Sequence, residues 1–117
     1  MWISRQIGKG QANFSAETGK VTLSSKSTIE TVSTGVDRDV HIYTPYGYSY
    51  LPPAGADMLL TKSSGEQAGI GVSMQKTDVK NGEIKIQAQS GAYIHFKENG
   101  SVVINGIEID KDGVLHE

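Results

Sequence analysis

Residues 81–117 are written as short alternating runs cut by glycine turns, and that pattern leaves little freedom in the choice of fold. Apolar and polar residues alternate in runs too short for a helix, and each run stops at Asn81-Gly82, Ser90-Gly91, Asn99-Gly100, Asn105-Gly106 or Asp112-Gly113. A period of two over a few residues is the signature of a β-strand. Glycine supplies the positive φ that a tight reversal needs, and Asn, Asp or Ser before it tolerates or reinforces the same geometry. The stretch reads as strands that keep changing direction. Its inward-facing candidates are Ile84, Ile86, Ala88, Ile94, Phe96, Val102, Ile104, Ile107, Ile109 and Val114. So thin an apolar stripe does not offset the entropy of ordering its own backbone. The segment must pack on the rest of its chain, or identical copies must bury the stripe between them.

The whole chain has 117 residues, with 14 Gly, 3 Pro and no Cys. That length holds one domain of modest core and an appendage. Thr, Ser, Val and Ile dominate the ordered-looking stretches and no window sustains helical periodicity, so the expected class is all-β. The absence of cysteine excludes a disulfide framework, thiol catalysis and a Cys-based zinc site. Met1-Trp2-Ile3-Ser4-Arg5 lacks the long apolar core of a signal peptide and no stretch approaches membrane-spanning length, which predicts a soluble chain made in the cytoplasm. A net charge of −2 with dispersed Lys and Arg offers no basic track for a phosphate backbone, so nucleic acid is not an expected partner.

Two parts are expected, a small antiparallel barrel over residues 1–76 and a repetitive tail over 77–117. The barrel strands are read at 11–16, 19–24, 28–33, 40–43, 57–61 and 68–74. Turns are read at Thr18-Gly19, Ser33-Thr34-Gly35, Pro52-Pro53-Ala54-Gly55 and Ser63-Ser64-Gly65-Glu66. The polar run Lys76-Thr77-Asp78-Val79-Lys80-Asn81-Gly82 marks the boundary.

A second informative stretch lies within the first part. A strand ends in Pro45-Tyr46-Gly47, a short aromatic run follows, and Pro52-Pro53-Ala54-Gly55-Ala56 leads into the apolar strand Asp57-Met58-Leu59-Leu60. Together with Gly19-Lys20-Val21-Thr22-Leu23, the Ser64-Gly65-Glu66 turn and the apolar strand at 69–74, this order resembles the barrel domain of phage baseplate spike proteins. These are the baseplate assembly protein V and Mu-type spikes of contractile-tailed bacteriophages and related bacteriocins. The resemblance covers residues 10–74, and the glycine-punctuated tail extends it more weakly to the C-terminus. It implies an OB-fold-like barrel followed by a trimeric intertwined β-helix, the spike that leads the tail tube through the host envelope. It also implies a homotrimer, baseplate hub and tail-tube partners, contact with the host cell envelope during penetration, a virion location and no enzymatic activity. In that setting Tyr43, Tyr46, Tyr48 and Tyr50 are expected at a subunit or hub interface, where Tyr is enriched. Ile84, Ile86, Ile94, Phe96, Val102, Ile104, Ile107 and Ile109 are expected in the trimer core.

At the tip the sequence departs from such spikes, whose apex often holds iron through paired His-x-His motifs. The histidines here are His41, His95 and His116, far apart in sequence. One His116 per chain supplies too few ligands for an octahedral site, and the expectation is no metal and no cofactor. His95 and His41 alternate with apolar neighbours and read as members of exposed cross-strand ladders. The carboxylates Glu17, Glu30, Asp37, Asp39 and Asp57 form no pair that the sequence can place for glycoside hydrolysis. Asp110-Lys111-Asp112-Gly113 begins like a calcium loop but lacks the ligands that should follow, and no glycine lies in a phosphate-loop context. Two alternatives remain open: a carbohydrate- or nucleic-acid-binding OB-fold module that stacks ligands on the Tyr43, Tyr46, Tyr48 and Tyr50 aromatics, and a small polysaccharide-degrading enzyme.

Overall fold

The computed structural model describes residues 16–117, and among them every regular element is a strand. The strands are β1 (Glu17–Ser25), β2 (Thr28–Val32), β3 (Val36–Ile42), β4 (Asp57–Ser63), β5 (Glu66–Val72), β6 (Ile84–Gln87), β7 (Tyr93–Phe96), β8 (Val102–Ile104), β9 (Ile107–Ile109) and β10 (Leu115–His116). They belong to two compact units, one ending at Met74 and the other spanning Gln75–Glu117.

In the first unit the strands close into a barrel in the order β1-β2-β3-β5-β4, with β1 also paired to β4. All neighbours are antiparallel except β3 and β5, which run parallel and share two residue pairs, His41 with Ala68 and Ile42 with Gly69. A five-stranded closed barrel of this kind is OB-fold-like. Val21, Ile29, Val40, Met58, Leu60 and Ala68 fill the interior, one inward side chain or two from each strand, as alternation requires. Thr31 is the polar residue buried among them.

Three bulges bend the barrel. On β1 the ladder shifts between Val21 and Leu23, so Thr22 is the extra residue; on β5 Ile70 is the extra residue between Gly69 and Gly71, which pair with Leu60 and Leu59; on β3 both Arg38 and Asp39 stand opposite Glu30. Asp39 takes φ +54 there, a left-handed conformation that inserts the extra residue and turns the strand. The bulge interrupts the period of two, and β3 therefore starts at Val36 rather than at residue 40 as the alternation suggests. Similarly, β5 spans Glu66–Val72 rather than 68–74, because the two-residue loop Ser64-Gly65 already reverses the chain with φ +53 and +83. Both values positive is the geometry of a hairpin turn whose twist matches the flanking strands.

Thr18-Gly19 is not a turn. Both residues lie inside β1, paired to Leu59 and Met58. A Cβ on Gly19 would stand 2.6 Å from Leu60 Cδ1 and 3.3 Å from Thr31 Cβ, so this glycine marks a close approach of strand to core. The strand read at 11–16 lies outside the described residues except for Ala16, which is in no strand.

The second unit is a five-stranded antiparallel meander, β6 to β10 in sequence order. Asn105-Gly106 joins β8 to β9 as a two-residue loop with φ +49 and +90, again positive at both positions. Residues 75–80 lead into it without regular structure.

Gly19→Ala is expected to destabilise the barrel by about 1–3 kcal/mol through overpacking against Leu60. Gly71→Ala meets nothing within 4 Å, and its expected effect is neutral or a gain of up to about 1 kcal/mol from a stiffer unfolded chain. Urea unfolding of both variants measures the difference.

Candidate functional site

Register decides what the C-terminal sheet presents. Ile84 pairs with Phe96, Phe96 with Val102, Val102 with Ile109, and Ile109 with Leu115. Next to that row, Ile86 pairs with Ile94, Ile94 with Ile104, and Ile104 with Ile107. Residues directly opposite each other share a face, as do residues two apart, so all nine side chains lie on one face of the sheet in two continuous rows. In the single chain this face is open. Ile84 is 61% exposed and Ile107 44%, and only Val102 and Ile109 are half-buried.

The opposite face carries Lys85, His95, Val103, Glu108 and His116 in one row, with Gln87 and Tyr93 in the next. Here the usual logic of burial is inverted. The Lys85 side chain is 14% exposed, His95 12% and Glu83 2%. For His95 the partner is Glu83. One carboxylate oxygen, Oε1, accepts the Lys80 N–H at 3.0 Å and sits 2.9 Å from His95 Nε2; the other, Oε2, accepts the Glu98 N–H at 2.8 Å. Lys85 reaches Asp78 at 3.2 Å and lies 4.7 Å from the centre of the Tyr93 ring. His95, read from the sequence as an exposed ladder member, is covered, and so is Lys85, whereas Gln87, Gln89 and Lys97 are exposed.

At the end of the sheet Asp110 repeats the device. Its Oδ1 accepts the backbone N–H groups of Asp112 and Val114 at 3.0 and 2.9 Å, and its Oδ2 lies 2.9 Å from His116 Nε2. The aspartate that begins like a calcium loop thus holds a turn. Because of that turn, Leu115 rather than Val114 joins the apolar face, a residue that sequence reasoning missed. His116 belongs to β10, paired with Glu108, rather than to a free end. Among the described residues no cluster of three or more His, Cys, Asp or Glu side chains is placed to hold a metal ion.

The four tyrosines of the barrel unit divide into two groups. Tyr48 and Tyr50 join Ile42, Leu51, Thr44 and Lys26 around an open groove of about 490 Å³ between the β1–β2 turn and the β3–β4 connection. Burial raises the Tyr50 hydroxyl above its usual pKa. Tyr43 and Tyr46 do not line the groove, and Tyr46 is fully exposed. The connection is pinned by Thr44 Oγ1 donating to the Tyr48 carbonyl at 2.7 Å, Ser24 Oγ donating to the Pro52 carbonyl at 2.6 Å, and the Gly55 N–H donating to the Val21 carbonyl at 2.7 Å. Leu51 was not singled out by sequence, although it directly follows the aromatic run.

The scattered carboxylates are paired locally. Glu17 accepts from the Gln67 amide, Glu30 meets Arg38 at 3.2 Å, and Asp57 meets Lys20 at 2.7 Å. Asp37 and Asp39 line a polar cleft with Arg38, His41, Lys62 and Glu66.

Acid should act on the C-terminal sheet first. The N–H groups of Lys80 and Glu98, with His95, hold the Glu83 carboxyl down to about 2 from its ordinary 4.5. The His116 ring and the Val114 N–H lower Asp110, and Lys85 lowers Asp78, in the same direction. Since the folded value lies below the unfolded one, this stability is complete above 4.5 and is lost as pH falls through about 2. The melting temperature of the sheet is expected to drop across that window. Glu83→Gln should melt lower at neutral pH and flatten the acid dependence, because an amide cannot accept from both N–H groups and the histidine in the same way.

No known protein-family model matches this chain, and no curated protein matches it.

Proposed function

We propose that this chain is the central spike or spike-tip protein at the baseplate of a contractile phage tail or related bacteriocin particle, and that it works as a homotrimer. The observation that carries this reading is the nine-residue apolar face of the C-terminal sheet, two unbroken rows left open in the single chain while Lys85 and His95 on the polar face behind them are covered. A contiguous apolar surface of that extent calls for a protein partner. Copies of the same chain meet the need, each sheet forming one wall of an intertwined β-helical spike with its apolar rows turned to the common axis. Among the described residues the edge strands β6 and β10 each pair on one side only, and in this reading they offer backbone groups to neighbouring copies.

The OB-fold-like barrel fits the same reading, and so do the Pro45-Tyr46-Gly47 and Pro52-Pro53-Ala54-Gly55-Ala56 segments through their resemblance to baseplate spikes. The work of such a protein is mechanical. Sheath contraction supplies force, and a spike whose backbone hydrogen bonds are satisfied within and between chains transmits it into the envelope. Tyr43 and Tyr46, together with Tyr48 and Tyr50, would face a neighbouring subunit, the hub or the tail tube.

A second reading rests on the groove at Tyr48, Tyr50 and Leu51, whose aromatic walls and hydroxyl rim suit a carbohydrate better than a nucleic acid, since among the described residues Lys26 is its one cationic side chain. In an OB fold, however, ligands are gripped largely by the β1–β2 and β4–β5 loops. Here both are two-residue turns.

Native mass measurement separates the two readings. A trimer is expected for the intact chain, and Ile104→Asp, which places a charge at a position exposed in the single chain, should give a folded monomer. An intact chain that stays monomeric across micromolar concentrations overturns the spike reading. Replacing Tyr46, Tyr48 and Tyr50 together by Ala should weaken association and leave the barrel folded. Glycan binding by a monomer, lost in that triple variant, would establish the module instead.

A further inference from the structure

The sequence contains three Asn-Gly dipeptides, at 81–82, 99–100 and 105–106. In such a pair the backbone nitrogen of glycine can attack the asparagine carboxamide, because no side chain on the glycine blocks the approach. The fold treats the three differently. Asn99 Oδ1 accepts from both the N–H and the hydroxyl of Ser101, at 2.9 and 2.7 Å, and the Gly100 N–H is engaged by the Lys97 carbonyl at 3.0 Å. Asn105 is gripped by Tyr93 twice: its Oδ1 accepts the Tyr93 N–H at 2.9 Å, and its own N–H donates to the Tyr93 carbonyl at 3.2 Å. Asn81 is exposed, and among the described residues neither its side chain nor the Gly82 N–H makes a hydrogen bond. The two sit at the centre of a turn closed by Glu83 N–H donating to the Lys80 carbonyl, with Gly82 at φ +86.

We propose that Asn81 is the preferred site of spontaneous deamidation in this protein. Gly82 N bonds to Asn81 Cγ, and Nδ2 leaves as ammonia carrying the proton that Gly82 gives up. Water then opens the five-membered imide at either carbonyl, leaving aspartate or isoaspartate with no change of oxidation state. The new carboxylate stands in the turn whose Lys80 N–H is held by Glu83, and isoaspartate lengthens the backbone inside the Lys80 to Glu83 hydrogen bond. The modification therefore loosens the clasp at the entry to the C-terminal sheet. It does not depend on the assembly proposed above.

Warming the intact protein in mildly alkaline buffer and mapping its peptides by mass spectrometry tests the idea. Asn81 should react on the order of tenfold faster than Asn99 or Asn105, the factor that one hydrogen bond of ordinary strength makes in a rate. In guanidinium, where the fold is gone, the three rates should converge. Equal rates in the folded protein, or a lead by Asn99 or Asn105, would overturn the proposal. An Asn81 preference that persists unchanged in guanidinium would overturn it too, since local sequence and not the fold would then set the order.

Discussion

The register of the C-terminal meander is the constraint on which the rest depends. Because the side-chain period is two and the connecting turns keep that period in step, eight apolar residues of β6 to β9 fall on one face, with Leu115 of β10 added beside Ile109 and Val103 left on the other. A slip of one residue in any strand would send its apolar set to the covered side. The Asn105-Gly106 loop guards against such a slip, since both of its residues have positive φ and Asn105, just past β8, is also tied to Tyr93 on the neighbouring β7. The face is therefore held as a single surface by backbone geometry, before any partner covers it.

The polar face, where Lys85 and His95 are covered, is the counterpart of that open apolar one. Glu83 draws the chain at Lys80, the chain at Glu98 and the His95 ring to a single carboxylate, and Asp110 does the same for the last turn and His116. Charged groups stripped of water cost free energy unless paired, and here each carboxylate accepts several hydrogen bonds. Such pairing lets a thin sheet spend its own polar side chains on internal order, leaving the apolar rows uncommitted. The barrel makes the opposite choice, placing Val21, Ile29, Val40, Met58 and Leu60 inside.

Much of this was legible in the residues themselves. Glycine turns and short alternating runs gave the all-β class, and the eight apolar residues of β6 to β9 were readable from alternation alone. What escaped had non-local causes. Gly19 looks like half of a Thr-Gly turn, and only the approach of Leu60 and Thr31 shows why a strand needs glycine there. The start of β3 was hidden because Asp39 breaks the period of two. Leu115 was masked by the turn that Asp110 builds, the covering of His95 depends on the Glu83 side chain before β6, and Lys85 is met by Asp78 and the Tyr93 ring. Of the tyrosine cluster, alternation gave no hint that Tyr48 and Tyr50 would line a groove while Tyr43 and Tyr46 stand apart from it.

The sheet order carries a kinetic consequence. Every strand of the meander pairs with its immediate neighbour in sequence, whereas barrel closure must bring Glu17 to Leu60. Local pairings form early because little loop entropy is lost in making them, and distant closures come later. On these grounds the pairings of the C-terminal sheet cost less loop entropy than the closure of β1 on β4, even though its thin apolar stripe adds little to hold them. In the proposed assembly, copies would then meet with their in-chain strand partners favoured, which limits the mispaired intermediates that exposed apolar strands would otherwise invite.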